Sequence, residues 1–232
     1  MLVDPIVFPE WISKLGENLS AKQITQFQIY ADFLVAYNEK VNLTTITDIN
    51  GIYEKHFYDS LLIGPIIDCK QSVCDVGSGA GFPGIPLKLV YPEIELTIVE
   101  PLQKRVRFLE LLAEKLEIDI KVVNIRAEEA EEYREKFDVV TARAVASLNI
   151  LAELCIPMVK KEGIFIAMKG SKGEEEIETA AKAIKTLGCE LEMVKEESLS
   201  SGEKRLNIVY RKKESTKEIF PRKYSVIKKK PL

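Results

Sequence analysis

The segment from residue 75 to residue 84 constrains the fold of this chain most strongly. It reads Asp-Val-Gly-Ser-Gly-Ala-Gly-Phe-Pro-Gly and lies between an apolar run ending at Val76 and a helical pattern beginning at Pro83. Glycines at a strand-to-helix turn lack Cβ atoms, so a ligand can approach the N–H groups of the helix N-terminus. Proline is favoured at the first helical position. The segment therefore predicts a βα unit with a ligand-binding turn.

Short apolar runs alternate with helical patterns around this turn, which is typical of an α/β fold with a parallel sheet. Strands are predicted at residues 72–76, 95–99, 120–123, 138–141 and 164–168. Helices are predicted at residues 83–91, 104–116, 148–159 and 173–187, with a short one after Glu128. Two further alternating runs, 191–195 and 205–210, flank a turn-rich segment and predict a final antiparallel hairpin.

The flanking regions differ from this central pattern. Residues 9–67 read as helices, with a capping box predicted at Ser20 and Gln23. Residues 203–232 carry eleven Lys or Arg and three Glu, a net charge of +8, whereas the whole chain carries −3. The sequence therefore predicts a helical extension at 1–67, an α/β domain at 68–213 and a basic tail at 214–232. A basic end can dock on a polyanion although the whole chain is acidic.

Other classes of protein are disfavoured by composition. The most apolar stretch, 61–67, is far shorter than the roughly 20 residues needed to span a bilayer, and the first residues do not resemble a signal peptide. The four cysteines form no Cys-x-x-Cys pair and have no histidine at ligand spacing, so we expect no metal site. We expect a monomer in the cytoplasm, without a membrane partner.

Three ligand classes compete for the glycine turn. A P-loop needs Lys after its second glycine, but Ile85 follows Gly84, so that alternative fails. Residues 79–84 match the Gly-x-Gly-x-x-Gly of dinucleotide-binding oxidoreductases, which is a weak signal on its own. The register Asp-x-Gly-x-Gly-x-Gly from Asp75 resembles motif I of class I S-adenosylmethionine-dependent methyltransferases. Glu100 closes the second strand, where a carboxylate can accept hydrogen bonds from ribose hydroxyls.

That class has a Rossmann-like seven-stranded sheet, mostly parallel with a C-terminal antiparallel hairpin. The resemblance implies S-adenosylmethionine as cofactor, with an adenine contact after the third strand. The predicted cofactor-binding residues are Asp75, Gly77, Ser78, Gly79, Gly81, Phe82, Glu100, Ala127, Glu128 and Arg143.

An ordered set of further motifs resembles one family. It comprises Val-Asn-Leu-Thr at 41–44, His-Phe-Tyr-Asp-Ser-Leu at 56–61, the glycine turn, Arg-Ala-Glu-Glu at 126–129, Ala-Arg-Ala at 142–144, Met-Lys-Gly at 168–170 and Phe-Pro-Arg-Lys at 220–223. These are similar to the bacterial 16S ribosomal RNA guanine-N7 methyltransferases, also called glucose-inhibited division protein B. The resemblance implies a substrate in the decoding region of small-subunit RNA. Members often have Arg-Arg after Phe-Pro, where this chain has Arg222 and Lys223, and lysine lacks the guanidinium fork.

The chemistry of methyl transfer also limits which atom of the substrate can be the target. Guanine N7 has a free lone pair, so its methylation needs positioning and electrostatics rather than a general base. The chain lacks the Asn/Asp-Pro-Pro-aromatic motif of amine methylases after the fourth strand, and Cys155 lies within an apolar helical pattern rather than near the site. A ring nitrogen or a hydroxyl remains, and both are compatible with the N7 target that the resemblance implies. For N7 we predict no acid–base catalyst, with Arg143 and Lys169 as positioning residues. We expect His56 in a structural hydrogen bond, and its alternative is a place beside Asp59 at the substrate entrance.

Basic residues at the carboxyl ends of predicted strands two to five indicate an RNA-binding rim, and Arg205 opens the last strand. The family motif adds Arg222 and Lys223. The predicted RNA-binding residues are Lys104, Arg126, Arg143, Lys169, Arg205, Arg222 and Lys223. Ordinary surface salt bridges are the alternative for each of them. Two other functions stay open: a methyltransferase acting on another RNA or on protein, and a non-catalytic ribosome-assembly factor that keeps the fold.

Overall fold

A seven-stranded sheet forms the centre of the computed structural model, which describes residues 3–232. The strands are β1 (Ser72–Val76), β2 (Glu95–Val99), β3 (Lys121–Val123), β4 (Phe137–Arg143), β5 (Val159–Lys169), β6 (Cys189–Ser198) and β7 (Lys204–Lys212). Their order across the sheet is β3-β2-β1-β4-β5-β7-β6. The first five strands are parallel, and β7 is antiparallel to both β5 and β6. The predicted parallel sheet with a final antiparallel hairpin is confirmed.

The helices lie before, between and after the strands. They are α1 (Phe8–Ser13), α2 (Ala21–Val41), α3 (Ile49–Gly51), a π-helix (Ile52–Tyr58), α4 (Asp59–Leu61), α5 (Gly84–Val90), α6 (Gln103–Leu116), α7 (Leu148–Cys155), α8 (Gly173–Thr186) and α9 (Tyr224–Lys229). The predicted capping box opens α2: the Gln23 amide donates to Ser20 Oγ, and the Ser20 amide donates to Gln23 Oε1. These two hydrogen bonds satisfy N–H groups that would otherwise be unpaired at the helix start, so the box fixes where α2 begins.

Two predicted helices differ from the observed elements. The predicted helix 148–159 ends at Cys155, and a 3₁₀ turn, Ile156–Met158, leads into β5. Pro157 lies in that turn and has no N–H to continue a helical ladder, which explains the early end. The short helix predicted after Glu128 is a pair of 3₁₀ turns, Ala127–Glu129 and Glu131–Tyr133.

Each face of the sheet has its own apolar core. Because side chains alternate along a strand, Val139 of β4 points into one core and Val140 into the other. The first core is closed by α1, α2, the π-helix, α5 and α6. The second is closed by α7, α8 and the C-terminal segment, residues 214–232. The N-terminal helices thus share a core with the sheet. Phe220 and Ile227 of the C-terminal segment are buried in the second core.

The sequence of elements also positions the site. Parallel strands place their carboxyl ends at one edge of the sheet, which is where open α/β sheets bind ligands.

Within residues 3–232, no helix is long and apolar enough to cross a membrane. The same part of the chain contains no cluster of His, Cys, Asp and Glu suited to a metal ion.

Candidate active site

The glycine turn leaves open space above its backbone. Gly79 has a φ of +63°, and a Cβ placed on it would meet no atom within 4 Å, so the turn exposes its main chain on that side. Gly81 has a φ of +99°, and a Cβ there would approach the Tyr30 hydroxyl to 2.6 Å. Backbone conformation therefore favours glycine at both positions, and at Gly81 the lack of space requires it as well.

Two buried polar groups lie unpaired below this turn. Asp75 accepts a hydrogen bond from the Gly84 amide at 2.8 Å through Oδ2. Its Oδ1 atom and the Ser78 hydroxyl are both buried, and neither makes a hydrogen bond of good geometry among the described residues. Burial raises the pKa of Asp75 to about 6, an effect that the nearby Ser78 side chain and the Gly84 hydrogen bond partly offset. Unpaired buried oxygens are costly, so a ligand that hydrogen-bonds them gains binding energy.

Glu100 joins the end of β2 to the glycine turn. Its Oε2 atom accepts from the Gly79 amide at 3.1 Å, and its Oε1 atom accepts from the Leu102 amide at 3.0 Å. The Arg105 guanidinium lies 3.8 Å away, and the carboxylate is almost fully buried. A carboxylate has about four lone-pair directions, so two hydrogen bonds leave acceptor capacity for a ligand.

A cavity of about 340 Å³, the glycine-loop cavity, opens between the turn and the ends of β2, β3 and β4. Four of the predicted cofactor-binding residues line it: Gly77, Glu100, Ala127 and Glu128. Arg126, predicted to bind RNA, lines it too. Arg105, Val145, Leu154 and Tyr224 also line this cavity but were not predicted from the sequence.

A second cavity of about 340 Å³, the rim cavity, lies beside the first. It is lined by Lys55, His56, Asp59, Arg143, Met168, Lys169, Gly170 and Arg205. Ala144 lies in the walls of both cavities and has a φ of +56°. Left-handed backbone is strained for any residue with a Cβ, and such strain concentrates at functional sites. Ala144 is thus a strained residue at the place where the two cavities meet.

Asp59 organises the charges of the rim cavity. Its two carboxylate oxygens accept from Arg143 Nη1 at 2.9 Å and from Arg205 Nε at 3.0 Å. Arg143 also donates to the carbonyl of Lys55 at 3.2 Å. The Arg143 side chain is 13% exposed, so this is no ordinary surface salt bridge. Two guanidinium groups thus meet on one buried carboxylate at the mouth of a cavity.

Lys169 has a fixed position in the same cavity. Its ammonium donates to the Ala146 carbonyl at 2.6 Å and pairs with Glu176 at 2.8 Å, and its side chain is 9% exposed. Glu176 in turn accepts from the Leu148 amide at 2.6 Å. These contacts connect the end of β5 to the start of α7, which holds the segment 144–148 in place.

His56 and Phe82 connect the rim cavity to the glycine turn. The His56 ring stacks on Phe82 with centroids 4.5 Å apart, and Arg143 lies 5.0 Å above the same phenyl ring. Tyr30 also stacks on Phe82, at 5.4 Å. The His56 Nε2 atom shares a hydrogen bond with Thr44 at 2.8 Å. Burial lowers the pKa of His56 to about 3, and the neighbouring Arg143 charge adds to this effect.

The remaining predicted residues lie outside both cavity walls. Lys104 and Lys223 are exposed. The Arg222 guanidinium pairs with Glu153, donating through Nε at 2.7 Å and Nη2 at 2.6 Å. Lys55 and Met168 also line the rim cavity. Met168 belongs to the Met-Lys-Gly motif, but neither residue was predicted from the sequence as a site residue. Lys55 directly precedes the only histidine, which is the one signal that could have identified it.

The sheet order, the glycine turn and the acid at the end of β2 together define a class I S-adenosylmethionine-dependent methyltransferase fold. Residues 23–207 match the family model described as GidB, rRNA small subunit methyltransferase G. The chain belongs to this family, and the predicted family and fold class are confirmed.

Individual relatives agree with the family match. The Ribosomal RNA small subunit methyltransferase G of Staphylococcus carnosus is 48% identical, over 96% of this chain and 98% of the relative. The protein of the same name from Bacillus licheniformis is 45% identical over 97% of each chain. Among solved structures, M. jannaschii TYW2 in complex with AdoMet has a TM-score of 0.54 at 14% identity, covering 66% of this chain and 74% of that one. That structural similarity supports the fold.

Proposed function

We propose that this protein transfers the methyl group of S-adenosylmethionine to N7 of one guanine in the decoding region of 16S ribosomal RNA. The observation that carries the proposal is the pair of cavities that meet at Ala144. One cavity has the features of a nucleoside site, and the other is lined by cations that suit an RNA target. A shared wall places the two ligands side by side, as direct group transfer requires.

The glycine turn and the glycine-loop cavity beside it fit the proposed cofactor. The open backbone at Gly79 can accommodate its methionine part, and the buried oxygens of Asp75 and Ser78 lie below the same turn. Glu100 has acceptor capacity for the ribose hydroxyls, and Ala127 and Glu128 line the region proposed for adenine. When bound, S-adenosylmethionine supplies an electrophilic methyl group. The chain needs only to hold the acceptor atom in line with it.

The rim cavity supports a mechanism without acid–base catalysis. Guanine N7 carries a free lone pair, so no proton has to leave before methyl transfer. His56 is the only histidine, and its pKa of about 3 makes it a poor proton acceptor. Arg143 and Lys169 are instead held by Asp59 and Glu176 in fixed positions. We propose that these two cations orient the target nucleotide and that Arg205 assists them.

Exposed cations around the cavities are proposed to bind RNA phosphates. Lys104, Arg126 and Lys223 are all exposed. Arg222 contributes less directly, because Glu153 already engages its guanidinium. Ribosomal RNA as substrate also implies action in the cytoplasm, and we propose that the protein acts as a monomer. Size-exclusion chromatography with light scattering would detect any dimer.

Nucleoside mass spectrometry tests the proposal directly. Small-subunit RNA from cells that lack the protein should lose one N7-methylguanosine, and the purified protein with S-adenosylmethionine should restore it. A Gly79→Val variant, which fills the open space above the turn, is the matched negative control. A methyl group on another atom, or on ribosomal protein, would refute the assignment. Binding of NADH without binding of S-adenosylmethionine would instead favour an oxidoreductase.

A further inference from the structure

The C-terminal segment is fastened beside the glycine-loop cavity at two polar anchors. Arg134, after the second 3₁₀ turn, donates to the carbonyls of Thr216 and Phe220. Glu153 of α7 is fully buried and accepts three hydrogen bonds from Arg222, one of them from its backbone amide at 2.9 Å. A buried carboxylate is costly unless it is paired in this way, so the contact fixes the backbone at Arg222.

This anchoring places Tyr224 in the wall of the cavity. Tyr224 is the first residue of α9 and lies two positions after Arg222. It lines the glycine-loop cavity together with Ala127, Glu128 and Leu154, and Leu154 directly follows Glu153. The side chain is half-buried and packs against the second core. Tyr224 is the only aromatic residue in this cavity wall among the described residues.

We infer that Tyr224 is a binding residue for the adenine ring of the cofactor and that the Arg222–Glu153 pair positions it. This inference rests on the proposed function, which assigns the cavity to S-adenosylmethionine. Aromatic rings stack on nucleobases and present an apolar face to them. The C-terminal segment then has two roles. Tyr224 faces the cofactor, while Lys223 and Lys228 remain exposed for RNA.

Calorimetry with two adenosine ligands tests the role of the ring. The probes are S-adenosylhomocysteine and 5′-methylthioadenosine, which lacks the amino acid part. Tyr224→Leu keeps an apolar side chain but removes the aromatic ring, and it should weaken binding of both probes by about tenfold. Tyr224→Phe should bind within about twofold of the unaltered protein. Val226→Ala is the matched control, because Val226 lies exposed on the same helix.

A double-mutant cycle tests the positioning role of Arg222. Arg222→Lys retains the charge opposite Glu153 but loses the guanidinium fork. When Tyr224 is present, Arg222→Lys should weaken S-adenosylhomocysteine binding by about threefold. In the Tyr224→Leu background it should have no further effect, because its influence passes through the ring. Equal losses in both backgrounds would show that Arg222 acts on the fold in general and would refute the positioning role.

Melting temperatures confirm that each variant is folded before binding is measured. A folded Tyr224→Leu variant that binds both probes as tightly as the unaltered protein would overturn the inference alone. An unaltered protein that binds neither probe would overturn the cofactor assignment, and the inference with it.

Discussion

The glycine-loop cavity and the rim cavity have similar volumes and share Ala144, but different kinds of residue line them. The first is lined mainly by backbone and apolar side chains around the buried Glu100, with Arg105, Arg126 and Glu128 as its other charged residues. The second consists of cations held by carboxylates, chiefly Arg143 and Arg205 on Asp59. A small ligand of fixed shape can be recognised by preformed backbone, whereas a polyanion requires charges with controlled orientation. From this difference we expect that the proposed cofactor binding and the proposed RNA positioning can be disrupted separately.

The largest effect is expected from Glu100→Ala. Each charged hydrogen bond to a ribose hydroxyl contributes about 1.5–3 kcal/mol, so losing two should weaken S-adenosylmethionine binding by more than about 100-fold. The variant also removes the carboxylate that accepts from the amides of Gly79 and Leu102, which adds to the loss. Calorimetry is the measurement, and Glu110→Ala on the exposed face of α6 is the control. A loss below tenfold would mean that Glu100 does not bind the ribose.

Arg143→Ala and Lys169→Ala should have a smaller effect than Glu100→Ala, and it should fall on methyl transfer rather than on cofactor binding. Each should lower methyl transfer by about 10- to 100-fold, because misplacing the target nucleotide by about 1 Å costs that much. Binding of S-adenosylhomocysteine should remain much closer to normal than in Glu100→Ala. Single-turnover methylation and calorimetry separate the two quantities. Unchanged methyl transfer in folded variants would mean that Arg143 and Lys169 form structural ion pairs only. A loss of cofactor binding as large as the loss of methyl transfer would mean that the two cavities do not have separate roles.

A moderate effect is expected on the pH dependence of stability. The pKa of His56 is about 3 in the folded protein and about 6.5 in the unfolded chain, so the unfolded chain binds more protons between these values. His56 therefore makes the free energy of unfolding rise as pH increases from about 4 to 6.5, by at most about 1.4 kcal/mol per pH unit. Asp75 has a raised pKa of about 6 and acts in the opposite direction from about pH 4 to 6.

Urea denaturation between pH 4 and 7 measures this effect. His56→Gln, which cannot titrate, should have a less positive slope of unfolding free energy against pH than the unaltered protein. Equal slopes in the two proteins would mean that His56 is accessible to solvent and titrates normally. S-adenosylhomocysteine binding at neutral pH serves to check that the variant keeps its fold.

The smallest effect is expected from exposed lysines of α9. Lys228 and Lys229 lie in the last turn of that helix, and both are exposed. If each neutralises one phosphate, Lys228→Ser with Lys229→Ser should reduce the slope of log affinity against log salt by about 1.4. A fourfold increase in salt should then reduce the RNA affinity of the variant by a factor about seven times smaller than that of the unaltered protein. Electrophoretic mobility shifts of a small-subunit RNA fragment would measure it. An unchanged slope would mean that Lys228 and Lys229 do not neutralise RNA phosphates.

Substituting these lysines is preferable to deleting the C-terminal segment. Deletion would remove Phe220 and Ile227 from the second core, and it would leave the buried Glu153 without Arg222. An unpaired buried carboxylate costs about 3–5 kcal/mol, so a truncated chain would confuse lost stability with lost RNA binding.

The sequence by itself determined the elements and the local part of the site. Periodicity predicted β1 and β2 with their observed bounds, and the glycine turn, Glu100 and the pair Ala127 and Glu128 were identified from their places after successive strands. These features are readable because strand and helix periods, capping boxes and glycine turns are each set by residues close together in the chain.

Only the tertiary structure decided which distant side chains meet. Arg143 and Arg205 are separated in sequence from Asp59 by 84 and 146 residues, and no local pattern specifies that both bind one carboxylate. The basic composition of residues 214–232 predicted a tail, whereas the structure places Tyr224 in the wall of the glycine-loop cavity and pairs Arg222 with Glu153. Composition reports charge but not its partners, because pairing depends on packing between elements far apart in the chain.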